Sequence, residues 1–160
     1  MKEKLELALQ LRKDKKLEES NKILVKLASE YYENPIVQYQ CAWSFDILEL
    51  EREAIKYYEK SIELGLEGAN LQGALLGLGS TYRTLGKYRK SKEVFEKGMK
   101  IFPKDKSLET FYAMTLYNLG NASKAMEILL NQIAETSVDE NIKAYNKAIK
   151  FYADKLDKIW

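Results

Sequence analysis

The sequence predicts an all-α solenoid of four helix-turn-helix repeats followed by a C-terminal capping helix. Residues recur at a 34-residue interval, as in Gly86 and Gly120, each of which follows a leucine. Within the repeats, apolar residues recur at spacings of three and four, which is typical of amphipathic helices. Only two prolines and eight glycines interrupt 160 residues. A period of this length with so few helix breakers indicates stacked helix pairs.

The repeat boundaries follow from pairs of residues that share the interval. Ala8 and Ala42 lie 34 residues apart, whereas Ala42 and Gly79 lie 37 apart. We expect the three extra residues in the loop around residues 65–68. The chain is therefore predicted to be a single domain, 1–160, with repeats at about 1–34, 35–71, 72–105 and 106–138 and a capping helix at about 139–160.

Local motifs predict where helices begin and end. Asn34-Pro35 combines an N-cap side chain with proline at the first helical position. Gly86 is expected in the left-handed conformation that ends a helix. Ser137 and Glu140 have capping-box spacing, and they predict the start of a final helix that continues through Trp160. The apolar stripe of that helix is expected to cover the last repeat.

Composition excludes most catalytic and metal-binding chemistry. Lys and Arg total 26 against 24 Asp and Glu, so the net charge is +2 and does not favour a general polyanion binder. Histidine is absent, which removes the usual general base and the commonest metal ligand. The single Cys41 falls at a core position and is expected to be inert. We therefore expect no enzyme, cofactor or metal site.

The sequence also bears on location. The first residues are charged and lack the apolar core of a signal peptide. No run reaches the roughly 18 apolar residues that a membrane span requires. One cysteine cannot form an internal disulfide, which favours a reducing compartment. These observations predict a cytoplasmic protein without a membrane partner.

The third repeat resembles the tetratricopeptide repeat. The positions that carry the resemblance are Leu75, Leu78, Gly79, Tyr82, Gly86, Tyr88, Ser91, Phe95, Gly98 and Pro103. The other repeats resemble the pattern more loosely, the first least of all. Stretches such as Ala42-Trp43 and Phe102-Pro103 are similar to a bacterial subfamily of these proteins without an assigned activity. The resemblance implies a non-catalytic module that binds another protein.

In proteins of this family, the first helices line a concave groove that binds extended peptides or short helices. Transferred to this sequence, the resemblance implies the binding residues Arg12, Tyr39, Gln40, Trp43, Asp46, Gly77, Ser80, Arg83, Phe111, Met114, Tyr117 and Asn118. Relatives that bind a terminal carboxylate use a Lys, Asn and Arg set on inner positions. Leu5 and Leu9 stand at two of these positions here, so that mode is not expected.

One stripe of small residues has two interpretations. A single face of the first helix of repeat three carries Gly73, Gly77, Ser80 and Thr84. The stripe could be the floor of a trough that admits an apolar side chain of a partner, with Trp43, Phe111 and Met114 as walls. Alternatively, Trp43 or the final helix fills the trough, and the stripe serves close helix packing.

Two further alternatives concern the partner. Lysines around the second helix of repeat three, including Lys87, Lys97 and Lys100, would suit nucleic acid, but an outward-facing, solvated helix is the favoured interpretation. Repeat two is acidic and repeat three is basic, which leaves self-assembly into a homodimer as a structural alternative. For the role itself, the alternative is a regulatory adaptor without a peptide-groove function. The expected partner is nevertheless a peptide segment or helix of another protein, and not nucleic acid.

Overall fold

The computed structural model describes residues 1–160 as ten α-helices without a β-strand. The helices are α1 Lys2–Lys13, α2 Leu17–Glu30, α3 Pro35–Asp46, α4 Glu51–Glu63, α5 Gly68–Thr84, α6 Tyr88–Ile101, α7 Lys106–Asn118, α8 Ala122–Thr136, α9 Glu140–Ala144 and α10 Asn146–Tyr152. None of them is long and apolar enough to cross a membrane. The contacts between residues divide the chain into two compact units, Met1–Val94 and Phe95–Trp160.

The helix boundaries predicted at Asn34-Pro35 and at Gly86 are confirmed by their local geometry. The Asn34 side chain accepts a hydrogen bond from the Val37 amide at 3.0 Å, and Pro35 is the first residue of α3. Gly86 and Gly120 follow α5 and α7 with φ angles of 72° and 82°. A side chain disfavours this left-handed conformation, so glycine ends both helices at little cost.

In the unit Met1–Val94, consecutive helices from α1 to α5 pack side by side, and α3 also packs on α5. Small residues allow the paired helices α1 and α2 to approach closely, and the buried Ser20 hydroxyl donates to the Ala8 carbonyl at 2.7 Å. Two buried clusters form the core. The first contains Ala8, Leu24, Leu27, Ala28, Val37 and Cys41, and the second contains Tyr39, Ala42, Ala54, Tyr58, Leu66, Ala74, Leu78 and Tyr82.

The extra residues between the second and third repeats lie in a helix, and the expectation that they enlarge the loop was wrong. Four residues separate α4 from α5, as they separate α2 from α3 and α6 from α7. Instead, α5 has 17 residues, whereas α1, α3 and α7 have 12 or 13. Leu71, in the additional first turn, packs on the second core cluster. This contact stabilises the longer helix.

The unit Phe95–Trp160 is built on the pair α7 and α8. Its buried cluster contains Ala113, Leu116 and Ala125, with Tyr112, Ile128 and Leu129 packed against it. The ring centroids of Phe95 and Phe111 are 6.3 Å apart. At the start of α7, Asp105 accepts hydrogen bonds from two backbone amides.

The prediction of a continuous final helix through Trp160 was wrong. Two short helices, α9 and α10, are separated at Tyr145, and residues 153–160 are not helical. Asp139, rather than Ser137, caps α9. The expected apolar stripe is largely exposed, with Tyr145 at 68% and Ile159 at 95%. Because short helices depend on a packed apolar face, the exposed stripe does not sustain a long helix.

Candidate functional site

The most organised candidate surface in the first unit is built around Trp43 on α3. Its side chain is 40% exposed, and the guanidinium carbon of Arg12 lies 3.9 Å from the centroid of its ring. Arg12 Nη2 donates to Gln40 Oε1 at 2.5 Å, which fixes the guanidinium over the indole. The α1 and α3 helices thus present a cation and an aromatic ring together.

The charge of Arg12 is not neutralised. Its Nη1 atom is buried without a hydrogen-bond partner, and no carboxylate lies within ion-pair distance of the side chain. Burial lowers the pKa of Arg12, although the neighbouring Tyr39 and Tyr58 act in the opposite direction. An uncompensated cation in a partly buried site costs stability, and it is a signature of functional positions.

The small-residue stripe of α5 is occupied by tyrosines of the same chain. A Cβ atom on Gly73 would collide with Tyr39 Oη, and one on Gly77 would lie 2.5 Å from Tyr58 Cζ. The open trough was therefore a wrong prediction. The alternative prediction, that the stripe serves close packing, is correct. The residues that fill the space are Tyr39 and Tyr58, however, and not Trp43 or the final helix.

Two other predicted binding residues are less accessible than the sequence suggested. Tyr39 and Gln40 are each only 8% exposed. Tyr39 stacks on Trp43 with ring centroids 6.1 Å apart, and burial raises the pKa of its hydroxyl. Their own side chains therefore offer little surface to a ligand. Tyr39 instead contacts Trp43, and Gln40 holds Arg12 in place.

Asp46 lies at the end of α3 in a partly buried, hydrogen-bonded position. Its carboxylate accepts from the Tyr58 hydroxyl at 3.0 Å and from Thr81 Oγ1 at 3.2 Å. Desolvation nevertheless raises its pKa, against the effect of these two bonds. On α5, Ser80 and Arg83 are half-buried. These residues form the polar part of the first unit's candidate surface.

In the second unit, α7 carries the remaining predicted residues. Met114 is 38% and Tyr117 is 67% exposed, three residues apart on one face of the helix. Phe111 is half-buried through its contact with Phe95, and Asn118 is also half-buried. The α7 surface is therefore an exposed apolar pair flanked by partly packed side chains.

The remaining chemistry-bearing groups are held in structural positions. Cys41 is fully buried, and burial raises the pKa of its thiol to about 12. No group of three or more Cys, Asp and Glu side chains lies close enough together to bind a metal ion. The geometry therefore supplies surfaces for binding, without an assembled set of reacting groups.

Pairs of antiparallel helices in series, with exposed side chains on the first helix of each pair, define a helical-repeat binding protein. The family model for the tetratricopeptide repeat matches residues 35–156. The chain therefore belongs to the tetratricopeptide-repeat family, and the predicted all-α solenoid class is confirmed. The match omits the first repeat, which the sequence already indicated as the most divergent.

Solved structures of tetratricopeptide proteins have the same fold. YrrB, described as a TPR protein with an unusual peptide-binding site, is 18% identical with a TM-score of 0.72, over 97% of this chain and 77% of its own. A putative kinesin light chain from Podosopora anserina, with nearly identical TPR-like repeats, is 14% identical with a TM-score of 0.72, over 98% and 86%. MamA from Desulfovibrio magneticus RS-1 is 15% identical with a TM-score of 0.70, over 98% and 94%. No curated protein sequence matches.

The family defines the general role. Tetratricopeptide repeats are protein–protein interaction modules and are typically non-catalytic scaffolds, and no enzyme family is indicated. Sequence reasoning missed Thr81 and Tyr58, whose hydroxyl groups both donate hydrogen bonds to Asp46. The spacing of Gly73 and Gly77 was a signal that bulky side chains from neighbouring helices contact α5.

Proposed function

We propose that this chain binds a peptide segment or helix of a partner protein through the inner residues of its first helices, in the concave groove typical of the family. Trp43 would contact an apolar side chain of the partner. Arg12 would pair with an acidic side chain of the same segment. The proposal includes that residues 1–160 form a single interaction domain of four repeats.

The observation that carries the proposal is the Arg12–Trp43 pair. The guanidinium lies 3.9 Å from the ring centroid and has no carboxylate partner, while the ring remains 40% exposed. Trp and Arg are the residues most enriched among those that dominate binding energy. Because Gln40 already holds the guanidinium in place, binding would cost little side-chain entropy.

Residues of α7, in the second unit, would make their own contact with the partner. Met114 and Tyr117 are exposed apolar side chains on one helical face, and neither is needed to cover the α7–α8 core. Tyr39 and Gln40 have a supporting role in the proposal, since Tyr39 stacks on Trp43 and Gln40 holds Arg12. Gly77 leaves space for the Tyr58 ring.

Selection from a random displayed peptide library on the purified chain tests the proposal. We expect enriched peptides to carry an acidic residue near a large apolar residue. Trp43→Ala and Arg12→Gln are each expected to weaken their binding about tenfold or more. The matched variants Tyr145→Ala and Arg89→Gln, which change exposed residues elsewhere, should bind as the wild type does. Absence of enrichment, or equal binding by Trp43→Ala, would overturn the proposal.

Self-assembly into a homodimer is a second candidate, favoured by the exposed aromatic residues near the C-terminal end. Phe151 is 49% and Trp160 is 71% exposed, and their ring centroids are 5.7 Å apart. Exposed apolar clusters of this kind are a feature of interfaces. Light scattering should give twice the 18.6 kDa chain mass if a dimer forms. A doubled mass that Phe151→Ala with Trp160→Ala leaves unchanged would exclude this surface.

The proposal concerns a protein ligand in the cytoplasm, and it includes neither nucleic acid nor a membrane. Lys87, just before α6, and Lys90, on α6, support this view, because their ammonium nitrogens lie 5.9 Å and 5.4 Å from the Tyr82 ring centroid. Two ammonium groups therefore lie over the Tyr82 ring, and the ring is not available to stack on a nucleic-acid base.

A further inference from the structure

A cavity of about 430 Å³ opens between α2 and α4 in the first unit. Its volume lies in the range of about 300–1,000 Å³ that small-molecule sites occupy. None of its lining residues belongs to the surface proposed above for a peptide. The lining consists of Val25, Ala28, Ser29, Tyr32, Gln38, Lys56, Tyr57 and Lys60.

The cavity is lined by two cations and no acidic side chain. Lys56 and Lys60 are one helical turn apart on α4, and each ammonium nitrogen lies 4.8 Å from the centroid of a tyrosine ring, of Tyr57 and Tyr32 respectively. Lys60 also pairs with the exposed Glu63 at 3.6 Å. Lys56 forms no ion pair, so the cavity carries positive charge that an anion would neutralise.

Two of the wall residues, Tyr57 and Gln38, are held in place by contacts within the chain. The Tyr57 ring stacks on Phe45, with centroids 5.4 Å apart and an interplanar angle of 11°. The buried Gln38 amide nitrogen donates to the carbonyls of Ala28 and Tyr32, both at 2.9 Å, and so joins α3 to the end of α2. A preformed site lowers the cost of binding.

We propose that this cavity binds a small organic oxyanion with an apolar body, such as an aromatic carboxylate. The ammonium groups of Lys56 and Lys60 would bind the oxyanion by charge-assisted hydrogen bonds. Val25, Ala28 and the tyrosine rings would contact the apolar body. A neutral compound of the same shape gains only the apolar contacts, and a small anion such as acetate gains only the charge contacts. Both should therefore bind more weakly.

Binding of naphthoate to the purified chain tests the proposal, with naphthamide and acetate for comparison. Calorimetry should detect naphthoate binding and much weaker binding of the other two. Naphthoate should also raise the unfolding temperature as its concentration increases, because it bridges α2 and α4 only in the folded protein. Lys56→Gln and Lys60→Gln are each expected to raise the dissociation constant about tenfold.

Lys26→Gln is the matched control, because Lys26 lies on α2 with its side chain 72% exposed and does not line the cavity. This variant should bind naphthoate as the wild type does. Circular dichroism checks that all three variants are folded. Equal binding of naphthoate and naphthamide, or wild-type affinity in both Lys56→Gln and Lys60→Gln, would overturn the proposal, as would the absence of any binding.

Discussion

Gly73 and Gly77 lack side chains because two tyrosines occupy the adjoining space. A Cβ on Gly73 would collide with Tyr39 Oη but lie 3.2 Å from Cζ, whereas a Cβ on Gly77 would lie 2.5 Å from Tyr58 Cζ and 2.9 Å from Cε1. The first collision involves only the hydroxyl oxygen at the end of a side chain. The second involves the ring itself.

This difference predicts a selective rescue. Gly73→Ala and Gly77→Ala should each lower the free energy of unfolding by about 1–3 kcal/mol, as overpacking does. Combining Gly73→Ala with Tyr39→Phe removes the colliding oxygen and should restore most of the loss. Combining Gly77→Ala with Tyr58→Phe should not, because the ring carbon remains in place. Urea unfolding of the single and double variants measures both couplings. Equal rescue in the two pairs would contradict the geometry.

Asp46 predicts a pH effect whose sign follows from its environment. Desolvation raises its pKa above the ordinary value of 3.8, so the folded state binds this proton more tightly than the unfolded state. Between about pH 3.8 and the raised pKa, Asp46 should make the free energy of unfolding fall as the pH rises. Asp46→Asn removes that contribution.

We therefore expect the stability of the wild type relative to Asp46→Asn to decrease with rising pH and then to level off. Urea unfolding from about pH 3 to about pH 8 measures the difference. Asp157→Asn, which removes one exposed carboxylate, controls for the change in net charge. If the stability of the wild type relative to Asp46→Asn instead increased with rising pH, the hydrogen bonds from Tyr58 and Thr81 would outweigh desolvation.

At the scale of the residue, sequence reasoning located the stripe but not its occupants. The spacing of Gly73 and Gly77 places them on one helical face, since that follows from the helix period alone. Their neighbours, Tyr39 and Tyr58, come from α3 and α4, and which ring reaches α5 depends on how the helices pack. The same packing buried Tyr39 and Gln40, which the repeat pattern had assigned to the open surface.

At the scale of the helix, hydrogen bonds from side-chain caps predict measurable differences in stability. Asp105 accepts from the amides of Ser107 at 2.8 Å and Leu108 at 3.2 Å at the start of α7. Asp105→Ala should therefore lower the free energy of unfolding by about 1 kcal/mol, as loss of an N-cap does. Glu67 occupies the same position before α5 without a side-chain cap bond, so Glu67→Ala should cost less than about 0.5 kcal/mol. Equal losses in urea unfolding would contradict this assignment.

Helix ends and helix lengths differ in how well the sequence predicts them. Asn34, Gly86 and Gly120 act through local backbone chemistry, so their positions could be read directly. The longer spacing before repeat three has no local marker that distinguishes a longer loop from a longer helix. The apolar stripe near the C-terminal end likewise indicates a helix only if a partner surface covers it, and that surface is not encoded locally.

At the scale of the molecule, the periodicity predicted the class of fold, because a recurring spacing constrains every helix pair in the same way. The candidate site was only partly predictable. Trp43, Met114 and Tyr117 are exposed as their repeat positions imply. The Arg12–Trp43 stack and the cavity beside Lys56 depend on side-chain geometry between helices, which the repeat pattern does not specify.

The two compact units predict an order of local stability. The first contains two buried clusters of six and eight residues, and the second contains one of three. In repeat proteins, stability is approximately a sum of local terms, so the unit with more buried apolar surface should open less often. The residues of α9 and α10 contribute no buried side chain to a core.

Native-state hydrogen exchange measured by mass spectrometry should therefore show the strongest protection in α3, α4 and α5. Amides of α7 and α8 should exchange faster, and those of α9 and α10 fastest. Removing core from the first unit with Leu24→Ala, a change that costs about 2–5 kcal/mol, should accelerate exchange in α1 to α3 before it affects α9 and α10. Protection in α7 and α8 equal to that in α3 and α4 would show that the small buried cluster is not what determines the stability of the second unit.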